Sequence, residues 1–154
     1  MKKIQKERVS YYDVYVANDG TEFNSQEECQ KYDNSALGVV RARYKRLVVK
    51  SGVESDICGF GSDESVVDVL RIKSNDDADT VMQRYFLENG WLKNSSSYDD
   101  VVKRAEAKVS LALAEDDYLF VGLGCCDDAF WFIGTALQLK GRIDAFVTPN
   151  EKKD

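Results

Sequence analysis

The chain has 154 residues, of which 44% are hydrophobic and 31% charged, with a net charge of −6 and no histidine. A chain of that length usually forms one domain with a core that needs no staples, and its composition excludes a disordered polymer. The acidic balance excludes a generic nucleic-acid binder, and the lack of histidine removes the commonest general base and a principal zinc ligand.

The charge is uneven. Residues 1–50 carry 10 Lys and Arg against 7 Asp and Glu, whereas residues 51–154 carry 11 against 20. Any anion would have to be met by the local basic patch between Arg41 and Lys50. No apolar run approaches the ~20 residues that span a bilayer. The charged opening MKKIQKERVS is not followed by an apolar segment, so no secretory signal is expected and the expected location is cytoplasmic. Cys29, Cys58, Cys125 and Cys126 are then expected to be reduced and to pack as small hydrophobes.

In chain order, residues 1–10 are expected to fray. Tyr11 to Ala17 alternates strand-forming side chains, Asn18-Asp19-Gly20 is a hairpin turn, and Thr21 to Phe23 returns as a short strand. Ser25 fits a helix N-cap with Glu28 three residues on, a capping box. Cys29, Tyr32, Ala36, Leu37, Val40, Tyr44, Leu47 and Val48 recur at helical spacing, which predicts a long helix stopping at Gly52. Asn34-Ser35 and Gly38 are places where it can split. Residues 53–65 read as a glycine- and acid-rich loop and Val66 to Lys73 as a strand.

Asp76 or Asp77 is expected to cap a helix that runs through Asn89, with Gly90 after it. Ser97 and Asp100 open another helix, which ends at Glu115-Asp116-Asp117. Tyr118 to Leu123 is a nearly continuous apolar run and reads as a buried strand. Asp127 and Asp128 are expected to cap a helix through Leu139, closed by Gly141, with Arg142 to Thr148 as a last strand; a hairpin over 128–148 is the alternative. Residues 149–154 are expected to fray. The predicted fold is α+β or α/β: an N-terminal hairpin and long helix, then a mixed sheet of about five strands with three further helices, all one domain.

Chemical signals are sparse. Gly122-Leu123-Gly124 has the strand-to-helix position of a nucleotide loop but lacks a third glycine, and Asp127 and Asp128 would occupy the anion site; a structural turn is favoured. Gly59-Phe60-Gly61-Ser62 lacks the P-loop lysine, leaving Phe60 as a mobile contact on a ligand or partner. The acid pairs Asp76/Asp77, Asp99/Asp100, Asp116/Asp117 and Asp127/Asp128 all fall at predicted helix ends, so capping is favoured over a metal site and no metal or other cofactor is expected. The best ligand-like feature is Arg41, Arg43, Tyr44, Arg46 and Lys50, since arginine with tyrosine can hold a phosphate and stack a base. Arg41 and Lys45 share one helix face and Arg43, Arg46 and Lys50 another edge. The competing reading is a solvated helix end whose cations pair with the protein's own carboxylates.

The run Tyr15 to Phe23 with its Asp19-Gly20 turn, followed by Glu28-Cys29-Gln30-Lys31-Tyr32-Asp33, resembles the opening of small uncharacterised tailed-bacteriophage proteins. In those a DG-x-x-F hairpin leads to a helix with a C-x-x-Y-[ED] step. The run from Val69 to Phe86 fits the same style. The resemblance implies origin rather than activity, and no catalytic residue carries over from it. It makes the expected function that of a non-enzymatic, phage-encoded binding protein in the infected host's cytoplasm. Such a protein would counter a defence system by blocking a host protein or sequestering a nucleotide signal, with a homo-oligomer as one arrangement. The alternatives are a virion or assembly accessory and a metal-dependent phosphodiesterase.

Overall fold

A computed structural model describes residues 12–54, 65–124 and 130–147. The fold is α+β. It opens with strands β1 (Tyr15–Val16) and β2 (Glu22–Phe23), paired antiparallel as a small hairpin. Its turn is built by Asp19, whose Oδ1 accepts from the Thr21 N–H at 2.9 Å, and by Gly20 at φ 94°. Ser25 then caps α1 (Gln26–Asp33), its Oγ accepting from the Glu28 N–H at 3.2 Å.

The long helix expected from the sequence is two helices. After Asn34, Ser35 starts α2 (Ala36–Lys45), accepting from the Gly38 N–H at 3.0 Å while donating to the Tyr32 carbonyl at 2.6 Å. This corner packs backbone on backbone: a Cβ on Gly38 would lie 2.1 Å from the Tyr32 carbonyl oxygen. The chain leaves α2 at Arg46 and turns directly into β3 (Val48–Glu54), so Lys50 lies on a strand and Gly52 is no helix stop. Gly52 has φ 73° beside a register shift in β3, the signature of a bulge. β-branched Val48, Val49 and Val53 suit the strand, and helical periodicity across Leu47-Val48 masked it.

The strand β4 (Ser65–Arg71) follows; of the expected loop 53–65, Val53 and Glu54 belong to β3 and Ser65 to β4, and 55–64, with Phe60 and Cys58, lie outside the described residues. Ser74, rather than Asp76 or Asp77, caps α3 (Asn75–Glu88) by accepting from the Asp77 N–H at 3.2 Å. A 3-10 turn (Gly90–Asn94) leads to α4 (Tyr98–Ala114). β5 (Tyr118–Gly124) is the expected buried strand.

The final unit differs from the expected strand–helix–strand order. Phe130 to Thr135 is strand β6, antiparallel to β5, and α5 (Ala136–Val147) occupies the place given to a last strand. A short apolar run cannot be told from a buried helix by period alone; here aromatic and β-branched side chains decide for the strand. Asp127, Asp128, Cys125 and Cys126 lie outside the described residues.

The main sheet has the order β3-β4-β5-β6 and is antiparallel throughout, not mixed. In register, Leu70 faces Leu119, Asp68 faces Val121 and Val66 faces Leu123; Val121 and Leu123 in turn face Phe132 and Phe130. That row, with Asp68 as its polar member, looks toward α2, α3 and α4. Tyr44, Val81, Tyr85, Ala105, Val109 and Ala112 close on it as one core. Tyr85 stacks against both Phe130 and Phe132. On the opposite face the Trp131 indole crosses Gly122, where a Cβ would meet it at 2.1 Å.

The acids of one pair serve the fold. Asp116 pairs with Arg71 at 2.6 Å, and Asp117 accepts from the N–H groups of Tyr118 and Leu137, both at 2.8 Å, the latter at the start of α5. Among the described residues no three acids or cysteines gather as metal ligands. Cys29 is buried as a free thiol. No helix among those residues is long and apolar enough to cross a membrane.

Candidate functional site

A cluster of charged side chains surrounds a cleft of about 620 Å³ where the first hairpin, α2, β3, β4, α3 and the end of β5 meet. Asp19 comes from the hairpin turn, Arg41, Tyr44 and Lys45 from α2, and Val48 to Ser51 from the start of β3. Asp68, Arg84 and Glu88 form the inner wall, with Leu123 and Gly124 at the sheet end.

The inner wall is a continuous polar chain. Glu88, with a side chain only 3% exposed, accepts through Oε1 from Arg41 Nε at 2.7 Å and from Arg84 Nε at 3.0 Å. Arg41 reaches on to the Tyr32 hydroxyl, which donates to Asp19 at 2.6 Å. Arg84 lies over the Tyr44 ring, its central carbon 3.9 Å from the ring centre, with Phe130 at 5.0 Å. The Tyr44 hydroxyl donates to Asp68 Oδ2 at 3.1 Å, and the Ser51 hydroxyl donates to Asp68 Oδ1 at 2.6 Å.

Titration follows from this arrangement. Burial, joined by the Asp68 charge, pushes the Tyr44 phenol far above the usual tyrosine range. Burial also acts to raise the Asp19 carboxyl, but hydrogen bonds from Tyr32 and Thr21 outweigh it and the net shift is downward. Burial and the bond to Asp19 raise the Tyr32 phenol.

The residues singled out from the sequence are divided. Arg41, Tyr44 and Lys50 share the cleft with Lys45. Arg43 and Arg46 line a separate groove against Asp76, Asp77 and Asp79 at the start of α3. The expectation that Tyr44 stacks a base is overturned: it is 2% exposed and its ring is already covered by Arg84. Arg41 answers to its own protein's Glu88, as the competing reading had it. Lys45 and Lys50 differ: both are exposed, and neither has an ion-pair partner among the described residues. Lys45 rests against the hairpin turn, its Nζ 2.9 Å from where a Cβ on Gly20 would stand.

Glu88, Arg84, Asp68, Ser51 and Asp19 went unmarked in the sequence. Arg84 and Glu88 stand at i and i+4 on one helix, which signals a pair but not its burial. Asp68 did carry a signal, a lone acid at the centre of an apolar strand, VVDVLR. No family model, curated protein or solved structure matches this chain.

Proposed function

We propose that this chain is a non-enzymatic, phage-encoded binding protein that counters a host defence by sequestering a nucleotide signal in this cleft. The observation that carries the binding reading is the contrast between Glu88, Arg41 and Arg84, whose charges pair with one another, and Lys45 and Lys50, exposed cations with no ion-pair partner among the described residues. In a protein of net charge −6, two ammonium groups that line a concave site and have no ion-pair partner among the described residues form a local trap for an anion. The volume lies within the ~300–1,000 Å³ of small-molecule sites. Glu88, Tyr32 and Tyr44 are spent on holding other side chains, which favours capture over turnover. The phage and anti-defence setting rests on the N-terminal resemblance.

The test is isothermal titration of the full chain against linear and cyclic nucleotides at low and moderate salt. The expected result is saturable heat that weakens as salt rises and is lost in a Lys45→Ala/Lys50→Ala variant. Absence of heat with every nucleotide removes the sequestering reading. Affinity capture from host lysate then tests the blocking of a host protein by the acidic residues 51–154.

A further inference from the structure

Asp68 is a buried acid without a cationic partner among the described residues. It is 4% exposed, at the middle of β4. Its partners are two neutral hydroxyls, Tyr44 and Ser51. Among the described residues no lysine or arginine lies within ion-pair distance of it. Burying an uncompensated carboxylate is costly, and such groups ordinarily acquire an ionic partner. Glu88 in the same wall shows the ordinary solution, with two arginines on one oxygen. A carboxylate offers about four lone-pair positions. Tyr44 and Ser51 take one on each oxygen, which leaves each oxygen able to accept again, and Asp68 is among the residues that line the cleft.

We infer that Asp68 reads the base of a guanine nucleotide whose phosphates lie at Lys45 and Lys50, an inference that rests on the nucleotide-binding reading above. A carboxylate can only accept, so it selects ligands with adjacent N–H donors. The Watson–Crick edge of guanine presents two side by side, the ring N1–H and the exocyclic amine. Adenine and cytosine each place an acceptor beside their amine, and uracil flanks its single N–H with carbonyls. Of the four bases, guanine alone satisfies both Asp68 oxygens. β3 carries the two ends of the site together, since Ser51, which steadies Asp68, follows Lys50 in the strand. The hydroxyl of Tyr44, fixed under Arg84, holds the second oxygen.

The experiment is titration calorimetry of the full chain with guanosine, inosine and adenosine 5′-triphosphates, which share one phosphate arm. Guanosine is expected to bind at least ~10-fold tighter than adenosine, with inosine, which lacks the exocyclic amine, between them. Asp68→Asn, checked for folding by circular dichroism, is expected to abolish the preference for guanosine over adenosine. The inosine comparison needs no variant and stands if Asp68→Asn fails to fold. Equal affinity for guanosine and adenosine, or for guanosine and inosine, overturns the assignment of Asp68 while leaving nucleotide capture intact. No binding of any of the three overturns both.

Discussion

Arg84 and Glu88 stand one helical turn apart on α3, and their contact at 3.0 Å joins two parts of the interior that would otherwise be separate. On one side Arg84 lies over Tyr44 and Phe130 in the apolar core. On the other, Glu88 gathers Arg41 and, through Tyr32, the first hairpin. Removing Glu88 strands two guanidiniums, with side chains 27% and 12% exposed. Glu88→Ala is therefore expected to cost about 3–5 kcal/mol in urea denaturation. Replacing Arg84 and Glu88 together by Met and Leu is expected to cost less than Glu88→Ala alone, because only the more exposed Arg41 then loses its partner. A double variant worse than the single would argue that the Arg84–Tyr44 stack dominates.

The pH limbs separate Asp19 from Tyr44. Asp19 has its folded pKa lowered, so its contribution is present above the unfolded carboxylate value of about 3.9 and is lost as pH falls through the lower folded value. Asp19→Asn is expected to flatten the stability curve in that acid range and leave neutral pH dependence unchanged. Tyr44 has its phenol raised, so its contribution is present below about pH 10 and is lost as pH rises above that value. Phenolate absorbance is expected to show the Tyr44 component appearing only together with loss of the circular dichroism signal. Ionisation of every tyrosine in the folded protein would contradict the buried Tyr44–Asp68 bond.

Gly38 sets helix propensity against sterics. An interior glycine replaced by alanine ordinarily stabilises a helix by about 1 kcal/mol. Here the new methyl would stand 2.1 Å from the Tyr32 carbonyl oxygen, a backbone atom that moves only if the α1–α2 corner opens. Gly38→Ala is expected to destabilise by about 1–3 kcal/mol, a lower thermal midpoint rather than a higher one.

Gly122 makes the corresponding test on the far face of the sheet. Its alanine variant would collide with the Trp131 ring, and a loss of about 1–3 kcal/mol is expected, with a shift in tryptophan emission. Trp131→Ala in the same chain is expected to recover part of the loss, because the obstructing ring is gone. No recovery would mean that the strand itself, rather than the indole, resists the methyl.

The elements with strong punctuation were legible in advance: the Asn18-Asp19-Gly20 turn, the Ser25 cap, the helix behind Ser97, and the helix expected from Asp76 or Asp77, although Ser74 is its cap. The errors fell where one apolar pattern served two periods. Leu47-Val48 continued the helical spacing of α2 while beginning a strand, and Phe130 to Ile133 was continuous enough to suit either structure. The site was half legible. Arg41, Tyr44 and Lys50 were marked for their charge or aromaticity, and all three border the cleft. Their neighbours Glu88, Arg84 and Asp68 come from elements distant in sequence, and only the antiparallel register and the packing of α3 bring them there. Arg43 and Arg46 fall on a different helix edge from Arg41 in the sequence, and helix phase sends them to another groove.

The strand order of the main sheet also bears on how the molecule assembles. Each strand pairs with its neighbour in the chain, but all of α3 and α4 is spliced between β4 and β5. The two outer pairings close short segments, and the central one closes the longest, so it should form last and limit the folding rate. The extra closure entropy is modest, since doubling a loop costs only about 0.6 kcal/mol, and α3 packing on α4 shortens the effective distance. The cleft draws Asp68 from one side of that central seam and Leu123 from the other. It is therefore complete only once that seam has closed, after the transition state, so a ligand would slow unfolding without speeding folding.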